Sequence, residues 1–161
     1  MILNIVILAL VTLERLVELW FARRNTNSLL AAGGHEVASG HYPLVVAVHA
    51  AWLATLWWLA PGQPVSVPLL ALFALVEFGR IWVLSTLGRR WTTRIIVVPG
   101  ETLINRGPYR FLNHPNYAVV IAEIALLPAL FGLWLVALLF SLLNAAILAI
   151  RIREENAALG R

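Results

Sequence analysis

The sequence predicts an all-α integral membrane protein, a bundle of about five transmembrane helices. Of its 161 residues, 61% are hydrophobic and only 12% are charged, and the mean hydropathy is +0.84. A soluble domain of this length cannot bury so much apolar surface, because small domains leave a large share of their surface exposed. No linker or repeat divides the chain, so we expect one membrane domain over residues 1–161.

Five apolar segments have about the length that a bilayer crossing requires, ~20 residues. They are residues 2–22, 43–60, 65–87, 116–131 and 133–152. The fourth is short and contains Pro128, which a membrane helix tolerates when its neighbours satisfy the freed carbonyl. The first contains Glu14, Arg15 and Glu18 and has no basic N-terminal region, so we expect no cleavable signal peptide.

The positions of the arginines predict the orientation. Ten of the twelve follow the first, third and fifth segments, whereas the connections at 61–64 and 131–133 carry no charge. With five spans these three places share one side, and the positive-inside rule makes it the cytoplasmic side, with the N-terminus outside. We therefore expect a protein of the bacterial inner (plasma) membrane. Its basic residues suit lipid headgroups, and we expect no nucleic-acid partner.

The longest polar stretch, residues 89–117, is predicted to be a cytoplasmic loop that binds a ligand. Pro99, Gly107, Pro108 and Pro115 exclude a continuous helix, and residues 95–98 favour a short extended piece. Long loops are usually functional or disordered, and this one is too rich in aromatic residues for disorder.

Ionisable side chains inside membrane spans are costly unless they are paired or functional. The spacing of three residues predicts pairing of Glu77 with Arg80 and of Arg15 with Glu18. Glu123 has no such neighbour, and two interpretations remain open: it meets Arg80 or Arg15 across the bundle, or it lines a cavity.

The last apolar segment carries polar residues along one helical face, at Asn144, Arg151 and Glu155. Arg151 and Glu155 form either a surface ion pair or part of a site, and their spacing alone does not decide between the two.

The residue types exclude several kinds of site. Without cysteine the chain has no disulfide, no thiolate nucleophile and no cysteine–zinc centre. The four histidines lack the spacing of metal ligands, so no metal site is expected. His49 stands alone in the second segment, where a histidine is more often a packing residue.

Two motifs in residues 94–159 resemble the isoprenylcysteine carboxyl methyltransferase family of membrane enzymes. The first is Leu103-Ile104-x-x-Gly107-x-Tyr109-x-x-x-Asn113-His114-Pro115-Asn116-Tyr117, and the second is Arg151-Ile152-x-x-Glu155-x-x-x-Leu159. The resemblance implies a helical bundle that binds S-adenosyl-L-methionine from the cytoplasm. Carried over by position, the cofactor contacts are Arg94, Glu101, Thr102, Leu103, Ile104, Tyr109, His114, Pro115, Asn116, Tyr117 and Glu155.

The resemblance also implies that Arg151 faces a lipophilic methyl acceptor that enters from the bilayer. An acceptor carboxylate needs no base because it is already ionised at neutral pH, whereas a phenolic or pyrone hydroxyl needs one. For that second case His49, His41 and Glu123 are the candidate bases, and the sequence does not choose among them.

Departures from the family pattern indicate a divergent subgroup. Asn113 stands where the family usually has Arg, Asn156 replaces the second glutamate of a pair, and Val119 replaces Gly. The segments Gly33-Gly34-His35-Glu36 and His41-Tyr42-Pro43 resemble small bacterial members associated with type III polyketide synthases.

Two alternative functions remain open. The first is a membrane NADPH-dependent sterol-type reductase, a class that shares the His-Pro-x-Tyr pattern but generally has more than five spans. The second is a non-catalytic helical bundle.

Overall fold

A computed structural model of the chain describes residues 1–160 and contains five α-helices and one two-stranded sheet. The predicted all-α membrane fold is confirmed. The helices are α1 (Ile2–Ala31), α2 (Tyr42–Leu59), α3 (Val67–Leu87), α4 (Pro115–Leu130) and α5 (Trp134–Leu159), and the strands are β1 (His35–Val37) and β2 (Ile95–Val97).

Within the described residues, three helical segments are long and apolar enough to cross a membrane: Ser39–Leu59, Val67–Arg90 and Trp134–Leu159. The fourth predicted span corresponds to α4, which is apolar but shorter. The first predicted span lies within α1, whose 30 residues include charged side chains near the middle. At 1.5 Å per residue α1 is ~45 Å long, more than the ~30 Å hydrocarbon core of a bilayer. Its C-terminal part therefore extends past the apolar layer.

Apolar packing closes the end of the bundle that holds the N-terminus and the two short connections. Leu8, Leu56, Leu127 and Leu130 are fully buried there. The side chain of Asn4 donates hydrogen bonds to the carbonyls of Ala60 (2.7 Å) and Gln63 (2.9 Å). Most polar residues of the chain therefore lie in the middle of the bundle or at its opposite end.

The small sheet lies at the opposite end of the bundle. β1 pairs antiparallel with β2, with His35 opposite Val97 and Val37 opposite Ile95. A Cβ on Gly34 would lie 2.8 Å from the Leu29 carbonyl and 3.0 Å from the side chain of Val98, so only glycine permits this approach. The pairing brings the segment between α1 and α2 against the long polar loop.

A buried ionic cluster joins α1, α3 and α4 between the two ends. Arg80 binds both Glu18 (3.1 Å) and Glu123, and Arg15 reaches Glu18 at 3.0 Å and Glu123 at 3.4 Å. Glu123 therefore meets both arginines across the bundle, and the pairing of Arg15 with Glu18 is confirmed. The predicted pair of Glu77 with Arg80 was wrong: the cation beside Glu77 is Arg15, at 4.0 Å.

Candidate active site

A cleft of about 170 Å³ lies at the end of the bundle where the sheet is found. The end of α3, the loop around β2, the start of α4 and the last turns of α5 form its walls. The lining residues that the sequence singled out are Arg94, Leu103, Ile104, Tyr109, Asn113, His114, Asn116, Tyr117, Arg151 and Glu155. The structure thus brings both motifs to one cavity.

His114 and Glu155 meet in this cleft. His114 caps the start of α4, where Pro115 occupies the first helical turn and ends the loop. Since α4 and α5 form an antiparallel hairpin, the end of α5 returns to the same level, and His114 Nδ1 lies 3.8 Å from Glu155 Oε1. On its other side, His114 Nε2 donates to Asn156 Oδ1 at 2.9 Å. Asn156, a departure from the family pattern, therefore helps to orient the histidine.

Tyr117 connects the two motifs through its hydroxyl group. It donates a hydrogen bond to Glu155 and accepts one from Arg151 Nε at 2.8 Å. Its ring stacks on the imidazole of His114, with centroids 5.2 Å apart. Arg151 also donates to the Thr93 carbonyl at 2.8 Å. These contacts hold a carboxylate, a phenol and a guanidinium together in the wall of the cleft.

Arg94 is held from the N-terminal half of the chain. Its guanidinium donates to Glu36 on β1, with N–O distances of 2.7 and 2.9 Å, and lies over the ring of Tyr42 at 4.4 Å. The Tyr42 hydroxyl is 3.0 Å from Thr93 Oγ1. Glu36 and Tyr42 therefore orient a cleft residue, although neither was predicted to take part in the site.

Tyr109 comes from a 3₁₀ turn, Gly107–Arg110. A Cβ on Gly107, whose φ is +56°, would collide with the side chain of Thr86, so glycine lets the turn pack against α3. Burial, and then the nearby Glu155 carboxylate, raise the pKa of the Tyr109 phenol above its ordinary value. Tyr109 therefore stays neutral and presents a polar tip and an aromatic ring to the cleft.

Glu101 and Thr102 lie beside the cleft rather than in its wall. Both contact Arg90, which lines the cleft: Arg90 Nε is 2.9 Å from the Glu101 carboxylate, and its Nη1 donates to the Thr102 carbonyl. Arg90 and its neighbour Trp91 are cleft residues that sequence reasoning missed. The sequence signal for them is an Arg-Arg-Trp run at the end of a predicted span. Binding of lipid headgroups explains that run as well as a ligand site does.

The remaining predicted site residues do not line the cleft. Pro115 is buried at the start of α4, and Glu123 belongs to the ionic cluster. His49 lies in α2, where its Nδ1 is 2.8 Å from the Val45 carbonyl. A carbonyl only accepts, so Nδ1 carries the hydrogen and Nε2 has the free lone pair.

The cleft combines carboxylate, guanidinium and aromatic groups in a small volume. Over residues 1–160, no group of three or more His, Asp or Glu side chains is arranged to hold a metal ion. Such a cleft can bind an organic molecule that carries both charges, with rings and hydrogen-bond partners to orient it.

Comparison with known proteins adds two findings. The model of the isoprenylcysteine carboxyl methyltransferase (ICMT) family matches residues 69–161. The chain is also 36% identical over 166 residues to the uncharacterized protein YpbQ of Bacillus subtilis (strain 168), covering 95% of this chain and 94% of the relative. No solved structure matches the chain.

Proposed function

The chain belongs to the isoprenylcysteine carboxyl methyltransferase family, and on this premise we propose that it is an S-adenosyl-L-methionine-dependent methyltransferase that O-methylates a lipophilic acceptor. The observation that carries the proposal is the meeting of His114 and Glu155, 3.8 Å apart, at the base of a cleft. Residues from both motifs share that cleft, as one cofactor site requires.

The chemistry of the cleft fits this cofactor. S-adenosyl-L-methionine carries a cationic sulfonium and amino group, an anionic carboxylate and an aromatic base. The cleft offers a carboxylate in Glu155, guanidinium groups in Arg90 and Arg94, and aromatic rings. One face of the Tyr117 ring is covered by His114, which leaves Tyr109 as the ring better placed to face a cation.

The protein's contribution to the reaction is binding and alignment. When bound, S-adenosyl-L-methionine supplies an electrophilic methyl group on a positively charged sulfur. Alignment of the two reactants alone can contribute several kcal/mol to the lowering of such a barrier. Arg151 is held in place by Tyr117 and Thr93, so it presents a preorganised cation to an anionic acceptor oxygen.

The acceptor is a long-chain or prenylated molecule with a carboxylate, or with a phenolic or pyrone hydroxyl group. For a hydroxyl acceptor His49 is the stronger candidate base, because Arg15 and Arg80 already bind both carboxylate oxygens of Glu123. His49 is oriented by the Val45 carbonyl and keeps its Nε2 lone pair.

We place the protein in the bacterial inner (plasma) membrane with the cleft toward the cytoplasm and the N-terminus outside. The arginine-rich end of the bundle is the end that contains the cleft, and the positive-inside rule orients that end toward the cytoplasm. The cofactor then enters from the cytosol and the acceptor from the bilayer.

The test is a binding and transfer experiment on the detergent-solubilised full-length protein. We expect S-adenosylhomocysteine to raise the melting temperature, and labelled S-adenosyl-L-methionine to label a component of a bacterial lipid extract. Stabilisation by NADPH but not by S-adenosylhomocysteine would indicate a reductase instead. Failure of both ligands to bind would indicate a non-catalytic bundle.

A further inference from the structure

A second cavity lies beside the cleft, between the C-terminal part of α1 and the end of α3. This groove has a volume of about 630 Å³. Its lining includes Phe21, Arg24, Asn25, Leu84, Arg89 and Trp91. None of the residues assigned to cofactor or acceptor lines it.

The charge of the groove is entirely positive. Among residues 1–160, Arg24 and Arg89 are the ionisable residues that line it, and no acidic residue does. Both guanidinium groups are exposed, and neither forms a salt bridge in the part of the chain that the structure describes. Arg90, next in the chain, points to the cleft instead and is paired with Glu101. Arg24 lies over the ring of Trp20 at 5.9 Å, so neither cation has an acidic partner among residues 1–160, and together they attract an anion.

The surroundings of the groove are those of a membrane interface. The flanking surfaces of α1 and α3 expose large apolar side chains, among them Trp20 (58% exposed), Phe78 (69%) and Ile81 (61%). Within the groove Phe21 and Leu84 provide apolar walls. These apolar surfaces favour an anion that carries hydrocarbon tails. Such an anion is a lipid rather than a soluble ion.

Hydrogen bonds connect the two sides of the groove. Asn25 donates from Nδ2 to the carbonyls of Gly88 (3.1 Å) and Trp91 (2.7 Å), which ties α1 to the turn after α3. Trp91 is 5% exposed and lines both the groove and the cleft. The groove therefore shares one wall with the candidate active site.

We propose that the groove between α1 and α3 is a binding site for an anionic phospholipid whose headgroup phosphate is held by Arg24 and Arg89. Basic pockets between membrane helices on the cytoplasmic side are known to bind anionic headgroups. The proposal does not depend on methyl transfer, because it rests on charge, shape and apolar continuity outside the cleft.

The experiment measures lipid binding to the purified full-length protein in a neutral detergent. Short-chain phosphatidylglycerol is titrated, and binding is followed by native mass spectrometry and by the melting temperature. Phosphatidylcholine, which has no net charge, and inorganic phosphate are titrated in parallel. We expect phosphatidylglycerol to bind and stabilise, while the other two have little effect.

We expect Arg24→Gln and Arg89→Gln each to weaken phosphatidylglycerol binding about fivefold, because each removes one cation that lies near the anionic headgroup. Arg23→Gln is the matched control, because Arg23 is the adjacent exposed arginine of α1 and lies outside the groove. Equal melting temperatures without lipid show that the variants fold.

Three outcomes would overturn the proposal. They are unchanged binding in both groove variants, an equal loss in Arg23→Gln, and stabilisation by inorganic phosphate alone to the same extent. The first excludes the two arginines, the second indicates diffuse surface charge, and the third indicates a site for soluble phosphate.

Discussion

Arg151 donates a hydrogen bond from Nε to the hydroxyl of Tyr117 over 2.8 Å, and this contact joins the second motif to the first. Tyr117 in turn donates to Glu155, one helical turn beyond Arg151. The arginine that is proposed to face the acceptor and the glutamate that is proposed to bind the cofactor are therefore bridged by one phenol. Changes in this bridge distinguish the roles of its three members.

Removing the bridging hydroxyl should weaken cofactor binding. In Tyr117→Phe, Arg151 Nε and the Glu155 carboxylate each lose a partner in a mostly buried layer, and an unpaired buried group costs roughly 1–3 kcal/mol. We expect S-adenosylhomocysteine to bind about tenfold more weakly in a calorimetric titration. An unchanged affinity in Tyr117→Phe would show that the bridge does not support the cofactor site.

Arg151→Ala should separate turnover from binding. Tyr117 can still donate to Glu155, so we expect cofactor affinity to stay within about threefold of wild type. The loss of a charge-assisted hydrogen bond to the acceptor should lower turnover by about 10- to 100-fold. The exposed Arg153 on the same helix provides the control Arg153→Ala. If Arg151→Ala abolishes cofactor binding as well, Arg151 belongs to the cofactor site.

Glu155→Gln should lose most S-adenosylhomocysteine binding, and so should His114→Ala. The first change removes the negative charge that faces the cleft, and the second removes the imidazole that Glu155 and Asn156 hold. Thermal-shift titrations of both variants would be compared with Glu154→Gln, which alters the adjacent glutamate outside the cleft. Normal binding in Glu155→Gln and His114→Ala would contradict the proposed cofactor site.

Glu36→Gln should reduce cofactor affinity although Glu36 does not line the cleft. Gln keeps one acceptor oxygen but no charge, so Arg94 loses the ion pair and at least one of its two hydrogen bonds to residue 36, and it keeps the Tyr42 ring. We expect the affinity to fall about three- to tenfold, since the pair is partly exposed and such pairs are worth little more than ~1 kcal/mol. His35→Gln, an exposed change on the same strand, should behave as wild type in the same titration.

Two substitutions in the ionic cluster should have contrasting effects on the stability of the protein. Arg80→Met leaves Glu18 and Glu123 without their main buried partner, and loss of one member of a buried pair costs about 3–5 kcal/mol. Glu77→Gln removes a carboxylate whose ion pair with Arg15 is long, at 4.0 Å, so its melting temperature should equal or exceed that of wild type. Melting curves in detergent test both, and a stable Arg80→Met protein would show that the cluster contributes little.

The helices and the meeting of the two motifs were predictable from the sequence. Long apolar segments determine the spans, and an antiparallel hairpin necessarily returns Glu155 to the level of His114. Residues 95–98 were expected to be extended, and β2 covers Ile95–Val97. The full length of α1 was not predicted, because a hydropathy pattern ends at the first polar residues while helical hydrogen bonding continues through them.

Contacts between distant segments explain the remaining differences. Spacing along one helix suggested that Glu77 pairs with Arg80, but the partners of Arg80 come from α1 and α4. Likewise, nothing local to Glu36 indicates that β1 pairs with β2 and carries it to Arg94. Such pairs depend on how the helices pack, which a pattern in one segment does not encode.

The β1–β2 pairing has a consequence for protein engineering. Residues 69–161, the stretch that the family model matches, contain both motifs but leave out the strand and the helix start that hold Arg94. A chimera that grafts this stretch onto an unrelated pair of N-terminal helices would inherit the motifs and the lining of the cleft, but Arg94 would lose the Glu36 and Tyr42 contacts that orient it. Exchanges between family members should therefore transfer residues 35–42, which contain β1 and the first residue of α2, together with the C-terminal half.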